Sequence, residues 1–194
     1  MNADEVVAEI SRRAWSFGVS VLLSPDPYVD SGDGIQSGGY FSGESRLLAV
    51  SVGDRPVEAW LGTMLHEYSH LTQWTEGQPV WNAYRGEMWD WLGGKRIRDP
   101  EGAIRTVQAL EADCERRTIR LARELQAPID LGEYARAANA YLHFHNTMRD
   151  TRKWYGDGMG PYMRPDILAL CNPTIDKNFS KTPAKLRKAL LTCV

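Results

Sequence analysis

The chain has little histidine, little cysteine and no long apolar run, and each scarcity narrows its chemistry. No uninterrupted apolar stretch approaches the roughly 20 residues that a membrane helix needs, so no membrane span is expected. The first ten residues carry Asp4, Glu5 and Glu9 without a basic lead and apolar core, which argues against a secretory signal. Cysteine occurs three times, as Cys114, Cys171 and Cys193, with no C-x-x-C pair. That usage excludes a disulfide framework and points to reduced thiols in a cytoplasmic protein. Positive charge is not in excess. The formal net charge of -2 provides no global field to gather nucleic acid or an acidic membrane. What is present is ordinary: 43% hydrophobic and 25% charged residues in 194, a globular composition sufficient for one domain with a substantial core. Nothing in it fixes an oligomeric state.

The pattern along the chain is α, a few strands, then mostly α, which is an α+β fold, mainly helical, with a small mostly antiparallel sheet near the N-terminus. A helix is expected over Ala3 to Phe17 and a strand over Val19 to Leu23. The Pro-, Gly-, Asp- and Ser-rich stretch from Pro25 to Gly39 reads as a loop, and Gly39 to Ser42 with Arg46 to Val52 as a hairpin. Asp54 is placed to cap a second helix running to Trp74 or Thr75. An aromatic-rich region follows, with four of the seven tryptophans (Trp74, Trp81, Trp89, Trp91) and a short helix around Ala83 to Leu92. A long helix is expected from Pro100 to Gln126, another from Asp130 to Lys153, and a short basic helix after Pro183. The organisation is a single domain over 1–194, with an insertion at 77–100 and a C-terminal extension at 156–194.

Within the second helix stands His66-Glu67-Tyr68-Ser69-His70. Residues four apart on a helix share a face, so both imidazoles can reach one ion. Neutral imidazole suits zinc, and a catalytic zinc takes three protein ligands plus a water. Glu67 neighbours the first ligand and can take a proton from that water, whose pKa the ion lowers from about 16 toward 7. Only four histidines occur in the chain, so a chance H-E-x-x-H is improbable.

Two histidines need a third partner. A histidine six residues beyond the motif, after a glycine, is one arrangement, but Gln73 and Glu76 stand at those positions. Glu76 itself remains an alternative ligand. The long helix offers better. Its apolar stripe runs Ile104, Val107, Glu111, Cys114, Thr118 and Leu121, and Glu111 takes a place where an apolar residue is expected. An inward carboxylate is costly unless paired or metal-bound. Glu111 is therefore the candidate ligand, with a buried salt bridge to Arg85 or Arg149 as the alternative. Asp113 lies about 200° away, on the polar face, and reads as solvated. Glu115 lies about 40° from Glu111 and could hold a ligand histidine from behind; an exposed acid, solvated or paired with a base on another element, is the alternative.

The remaining histidines are His143 and His145. The stripe Tyr134, Ala138, Tyr141, His145, Met148 turns His145 inward and His143 outward with Asn139 and Asn146, so the two should not share a metal. His145 is a candidate for stabilising an oxyanion, against the alternative of a satisfied core residue; Tyr141, Tyr155 and Arg149 are further candidates.

A helical H-E-x-x-H followed by a downstream helix bearing a glutamate resembles the gluzincin branch of zinc metallopeptidases. Over His66 to Leu125 it is similar to the small cytoplasmic H-E-x-x-H proteins of bacteria and bacteriophages, including ImmA/IrrE-type proteases. The resemblance implies a zincin-like fold, a Zn2+ cofactor held by His66, His70 and Glu111, peptide-bond hydrolysis with Glu67 as base, a protein or peptide substrate, and a cytoplasmic location (the host's, if phage-encoded). Such families often carry aspartate where Glu115 stands. It also implies that the strands before the motif bind an extended substrate, a role for Gly39 to Val52. Three rivals remain. One is a zinc amide hydrolase acting on a non-peptide substrate, and one is a catalytically inactive binding or virion-associated module. The last is a DNA-associated protease, for which Lys177, Lys181, Lys185, Arg187 and Lys188 would supply the contacts, although such a run is usually a solvated face.

Overall fold

The computed structural model describes residues 1–30, 36–79, 81, 86–156 and 158–194, and the chain divides into two compact units. The first comprises Met1–Gln78 and Cys114–Asp130, the second Pro79–Asp113 and Leu131–Val194. Beyond Gln78, the segments read as insertion and extension fall in the second unit. The fold is α+β.

The first unit opens with α1 (Ala3–Ser16), whose start is fixed by a reciprocal cap. The Asn2 side chain accepts from the Glu5 N–H, and the Glu5 carboxylate accepts from the Asn2 N–H. Val6, Ile10 and Ala14, four apart, form its buried stripe. Strands β1 (Ser20–Ser24), β4 (Gly39–Ser42) and β5 (Leu47–Ser51) form one sheet in the order β1-β5-β4. Two short strands, β2 (Val29–Asp30) and β3 (Gln36–Ser37), pair separately within the stretch expected to be loop. The three-stranded sheet is mixed rather than mostly antiparallel: β4 and β5 make the expected hairpin, but β1 runs parallel to β5. The long connection between β1 and β5 permits the crossover that parallel pairing needs. Central β5 is buried on both faces through Leu48, Ala49 and Val50, whereas Leu22 on edge strand β1 is exposed.

Helix α2 (Val57–Thr75) carries the histidine motif and ends where expected. Its start differs. Asp54 does not cap it; that residue lies in the left-handed region at φ 54°, in the turn leaving β5, and Pro56 holds the cap position without a side-chain bond. Proline lacks the N–H that a cap would satisfy, and its fixed φ suits the entry to a helix. Arg55 ties this corner together, donating to the carbonyls of Gly38 and Ser51 and to Thr63 Oγ1. From Leu61 to Leu71 the helix is covered around most of its circumference. The later part of α4 (Pro100–Glu124) completes this unit. Thr118 Oγ1 donates to Ser69 Oγ at 3.0 Å, and Ser69 in turn donates to the Leu65 carbonyl.

The second unit contains α3 (Glu87–Leu92), the start of α4, α5 (Leu131–Thr151), α6 (Pro165–Leu168) and α7 (Ala184–Leu190). The expected start of α3 at Ala83, and Arg85, lie outside the described residues. Met88, Ile104, Val107, Phe144, Met148, Ile167, Leu186 and Leu190 form its core. Residues 142–148 of α5 are buried without a break, which corrects the expectation that His143 faces outward: it is only 1% exposed. The face judged polar is covered by the tail at 171–182, and the polar side chains there bind that tail. Asn139 Nδ2 donates to the carbonyls of Asn172 and Thr174 while its Oδ1 accepts from the Asp176 N–H. Asn146 and Gln108 both donate to the Phe179 carbonyl, and His143 Nε2 lies 3.0 Å from Asp176 Oδ2. The tryptophans are divided between the two units. Trp74 packs in the first unit, 5.6 Å from the Phe41 ring and under the Arg46 guanidinium; Trp89 packs on Trp154 and Trp91 lies under Arg152 in the second. All three cysteines are free and buried. Among the described residues no helix is long and apolar enough to cross a membrane.

Asn139→Ala strips three hydrogen bonds from backbone groups of the tail, on the side that faces the buried Asn139. At about 1 kcal/mol each, with a desolvation penalty for the groups left behind, the loss should reach ~2–4 kcal/mol in a urea titration. Amides at 172–176 should also exchange faster. Wild-type stability in that variant would show that the Asn139 bonds add nothing net to the hold on the tail.

Candidate metal centre

Helix α2 brings His66 and His70 onto one face, with ring centroids 4.7 Å apart and planes nearly perpendicular at 89°. Packing of Leu61, Met64, Leu65 and Leu71, all fully buried, fixes the rotation of the helix and so the direction of both rings. His70 is 9% exposed, and the His66 side chain 19%.

Each ring meets a partner at Nδ1. His70 Nδ1 lies 2.8 Å from Oε1 of Gln73, a side chain with no exposure to solvent. His66 Nδ1 lies 3.3 Å from Glu115 Oε1 and 3.5 Å from Cys114 Sγ, and the Cys114 thiol also donates to the His66 carbonyl oxygen at 3.3 Å. Glu115, expected to back a ligand histidine, stands against the His66 ring. An oxygen acceptor at Nδ1 keeps the proton there and leaves the lone pair of a neutral ring on Nε2. The ligating atoms of His66, His70 and Cys114 all come within 4.8 Å of one another, a group that could hold a metal ion.

The field at this place is negative. Burial opposes charging His66, but Cys114 and Glu115 beside it outweigh that penalty and raise its pKa well above 6.5. A field that favours imidazolium also favours a metal cation. Glu76, the same-helix alternative, is committed elsewhere: Arg117 grips both of its carboxylate oxygens at 2.9 and 3.0 Å.

Glu67 is 8% exposed and lies beneath strand β4. A Cβ on Gly39 would come within 2.7 Å of Thr63 Cγ2 and 3.3 Å of Glu67 Cγ, so the backbone of β4 approaches α2 with no side chain between them. In the three-stranded sheet β4 is an outer strand.

The other expected site residues lie in the second unit, which includes Glu111 in the α4 stretch before Cys114. Glu111 is half-buried, as its stripe position requires. Asp113, expected to be solvated, is also half-buried, because α4 is covered at neighbouring phases through Ala112 and Cys114. His145 is fully buried and packs edge-on against the Tyr141 ring at 4.9 Å. Its Nδ1 donates to the Tyr141 carbonyl at 3.1 Å, while its Nε2 has no hydrogen-bond partner among the described residues. Burial lowers its pKa, against the opposing influence of Glu111. Such a ring offers an acceptor, and an oxyanion needs a donor. Of the other oxyanion candidates, the Tyr155 hydroxyl pairs with that of Tyr162 at 2.9 Å and Arg149 pairs with Asp150.

Two residues of the centre are not apparent from sequence reasoning. Cys114 reads as an apolar member of the α4 stripe, although its place directly before Glu115 turns it toward the same ring. Gln73 reads only as the absence of a glycine; its signal is the spacing of three from His70, which puts an amide on the same helix face.

No family model, no curated protein and no solved structure matches this chain.

Proton competition gives the centre a defined pH response. Since His66 titrates well above 6.5, the ion-free ring stays protonated into the neutral range, and a cation must displace that proton. Zinc affinity should therefore climb as pH rises through neutrality, with proton release visible in calorimetry in buffers of different ionisation heat. An affinity that is flat over this range would contradict the raised pKa.

Proposed function

We propose that this chain is a zincin-like metallopeptidase, a mononuclear zinc hydrolase in which His66 and His70 hold the ion through Nε2, Glu111 is the third protein ligand and Glu67 is the base. The observation that carries this reading is the edge-to-face pair of imidazoles, each with its Nδ1 facing an oxygen acceptor. That is the arrangement by which proteins orient metal-binding histidines. Zinc, when bound, supplies a Lewis acid that polarises the scissile carbonyl and acidifies a water. Glu67, adjacent to His66 and largely shielded from solvent, takes the water's proton and delivers it to the leaving amine. Strand β4, lying against the Glu67 side chain at Gly39, offers its outer edge to an extended peptide by β-augmentation. His145 has no part in this mechanism, since its single proton is spent on Tyr141. Of the basic residues of the tail, Arg187 is paired with Asp150 and the lysines are exposed.

A second reading is favoured by the closeness of Cys114 to both rings. There the ion sits on the Nδ1 side of His66 and a Cys114 thiolate replaces Glu111 as the third ligand. Thiolate ligation would show as a charge-transfer band after cobalt substitution.

Elemental analysis of three variants tests both readings. Glu67→Gln should retain one zinc per chain and lose about 10²–10⁴-fold of its turnover on a peptide library. Glu111→Ala should shed zinc while Cys114→Ser keeps it; the reverse pattern would transfer the third ligand to Cys114. Full hydrolysis by Glu67→Gln would end the proposed mechanism.

A further inference from the structure

We infer that Gln73 is a positioning residue of the metal centre: its buried side-chain carbonyl fixes the proton of His70 on Nδ1 and so commits Nε2 to the ion. This rests on the metal reading above and adds to it the residue that makes the second histidine competent. Gln73 lies three residues after His70 on α2, has no exposure to solvent, and puts Oε1 at 2.8 Å from Nδ1. A free imidazole samples both tautomers, and only one presents a lone pair at Nε2. Holding the proton at Nδ1 removes that choice before the ion arrives and locks the ring's χ2 orientation.

The two histidines are thereby backed by different chemistry. His66 faces the carboxylate of Glu115, which pulls its ring toward the charged form; His70 faces a neutral amide, which orients without adding charge. A second carboxylate at position 73 would place two buried acids behind one cation. The amide keeps the centre oriented while limiting the negative charge that would blunt the ion's acidity.

The test uses the whole chain in wild-type, Gln73→Met and Gln73→Glu forms, the methionine preserving volume without an oxygen acceptor. Long-range 1H–15N NMR on the metal-free wild type should show His70 protonated at Nδ1, and Gln73→Met should show a mixture of tautomers. Zinc titrations should give about 10–100-fold weaker binding in Gln73→Met, with affinity restored or exceeded in Gln73→Glu. A wild-type His70 protonated mainly at Nε2 would overturn the inference, as would Gln73→Met binding zinc as tightly as wild type. If wild type binds no zinc, the metal reading fails by itself. The tautomer of His70 in the metal-free chain then still decides whether Gln73 sets it.

Discussion

The rotational setting of α2 about its own axis is the constraint on which the centre depends. Leu61, Met64, Leu65 and Leu71 are fully buried and Tyr68 nearly so, and each such side chain is worth about 1.5–3 kcal/mol in burial. Turning the helix by one residue's worth of rotation would expose several of them and drive His66 and His70 into the apolar packing. The directions of the two imidazoles are thus set by residues that never touch a ligand. Ser69 and Thr118 add a polar fastening between α2 and the later part of α4, on the same helix that delivers Cys114 and Glu115.

Charge explains the rest of the arrangement. Glu115 is 5% exposed, and a carboxylate withdrawn from water to that degree costs several kcal/mol unless something positive or hydrogen-bonding compensates it. In the ion-free chain the proton on His66 meets that need. A cation bound beside His66 would compete with that proton for the same carboxylate.

Much of this was legible in the sequence wherever the signal is local. The spacing of His66 and His70, the stripe through Ile104, Val107, Glu111, Cys114 and Thr118, and the helix breaks at Gly77 and Pro100 all depend on neighbours within a turn or two. The failures are non-local. The direction of β1 relative to β5 depends on a connection whose path composition does not encode. His143 looked solvent-facing because the tail that covers it arrives some thirty residues later, held by Asn139 and Asn146, whose amides read equally well as exposed polar side chains. Asp54 failed for a different reason: it is a sound capping residue, but Pro56 two positions on dictated where the helix could begin. Gln73 was overlooked because an amide in a helix has many uses, and only the distance to His70 Nδ1 selects one.

The division of the first unit between two stretches of chain has a consequence for biogenesis. Residues 1–78 leave the ribosome carrying both imidazoles and Glu67 but none of the groups that Cys114–Asp130 contributes. During vectorial synthesis α2 must therefore wait, its His66 unbacked, until residues 79–113 of the other unit and then the Cys114–Asp130 segment have been made. If the centre takes up an ion as proposed, competence for it would be acquired only in the later part of translation.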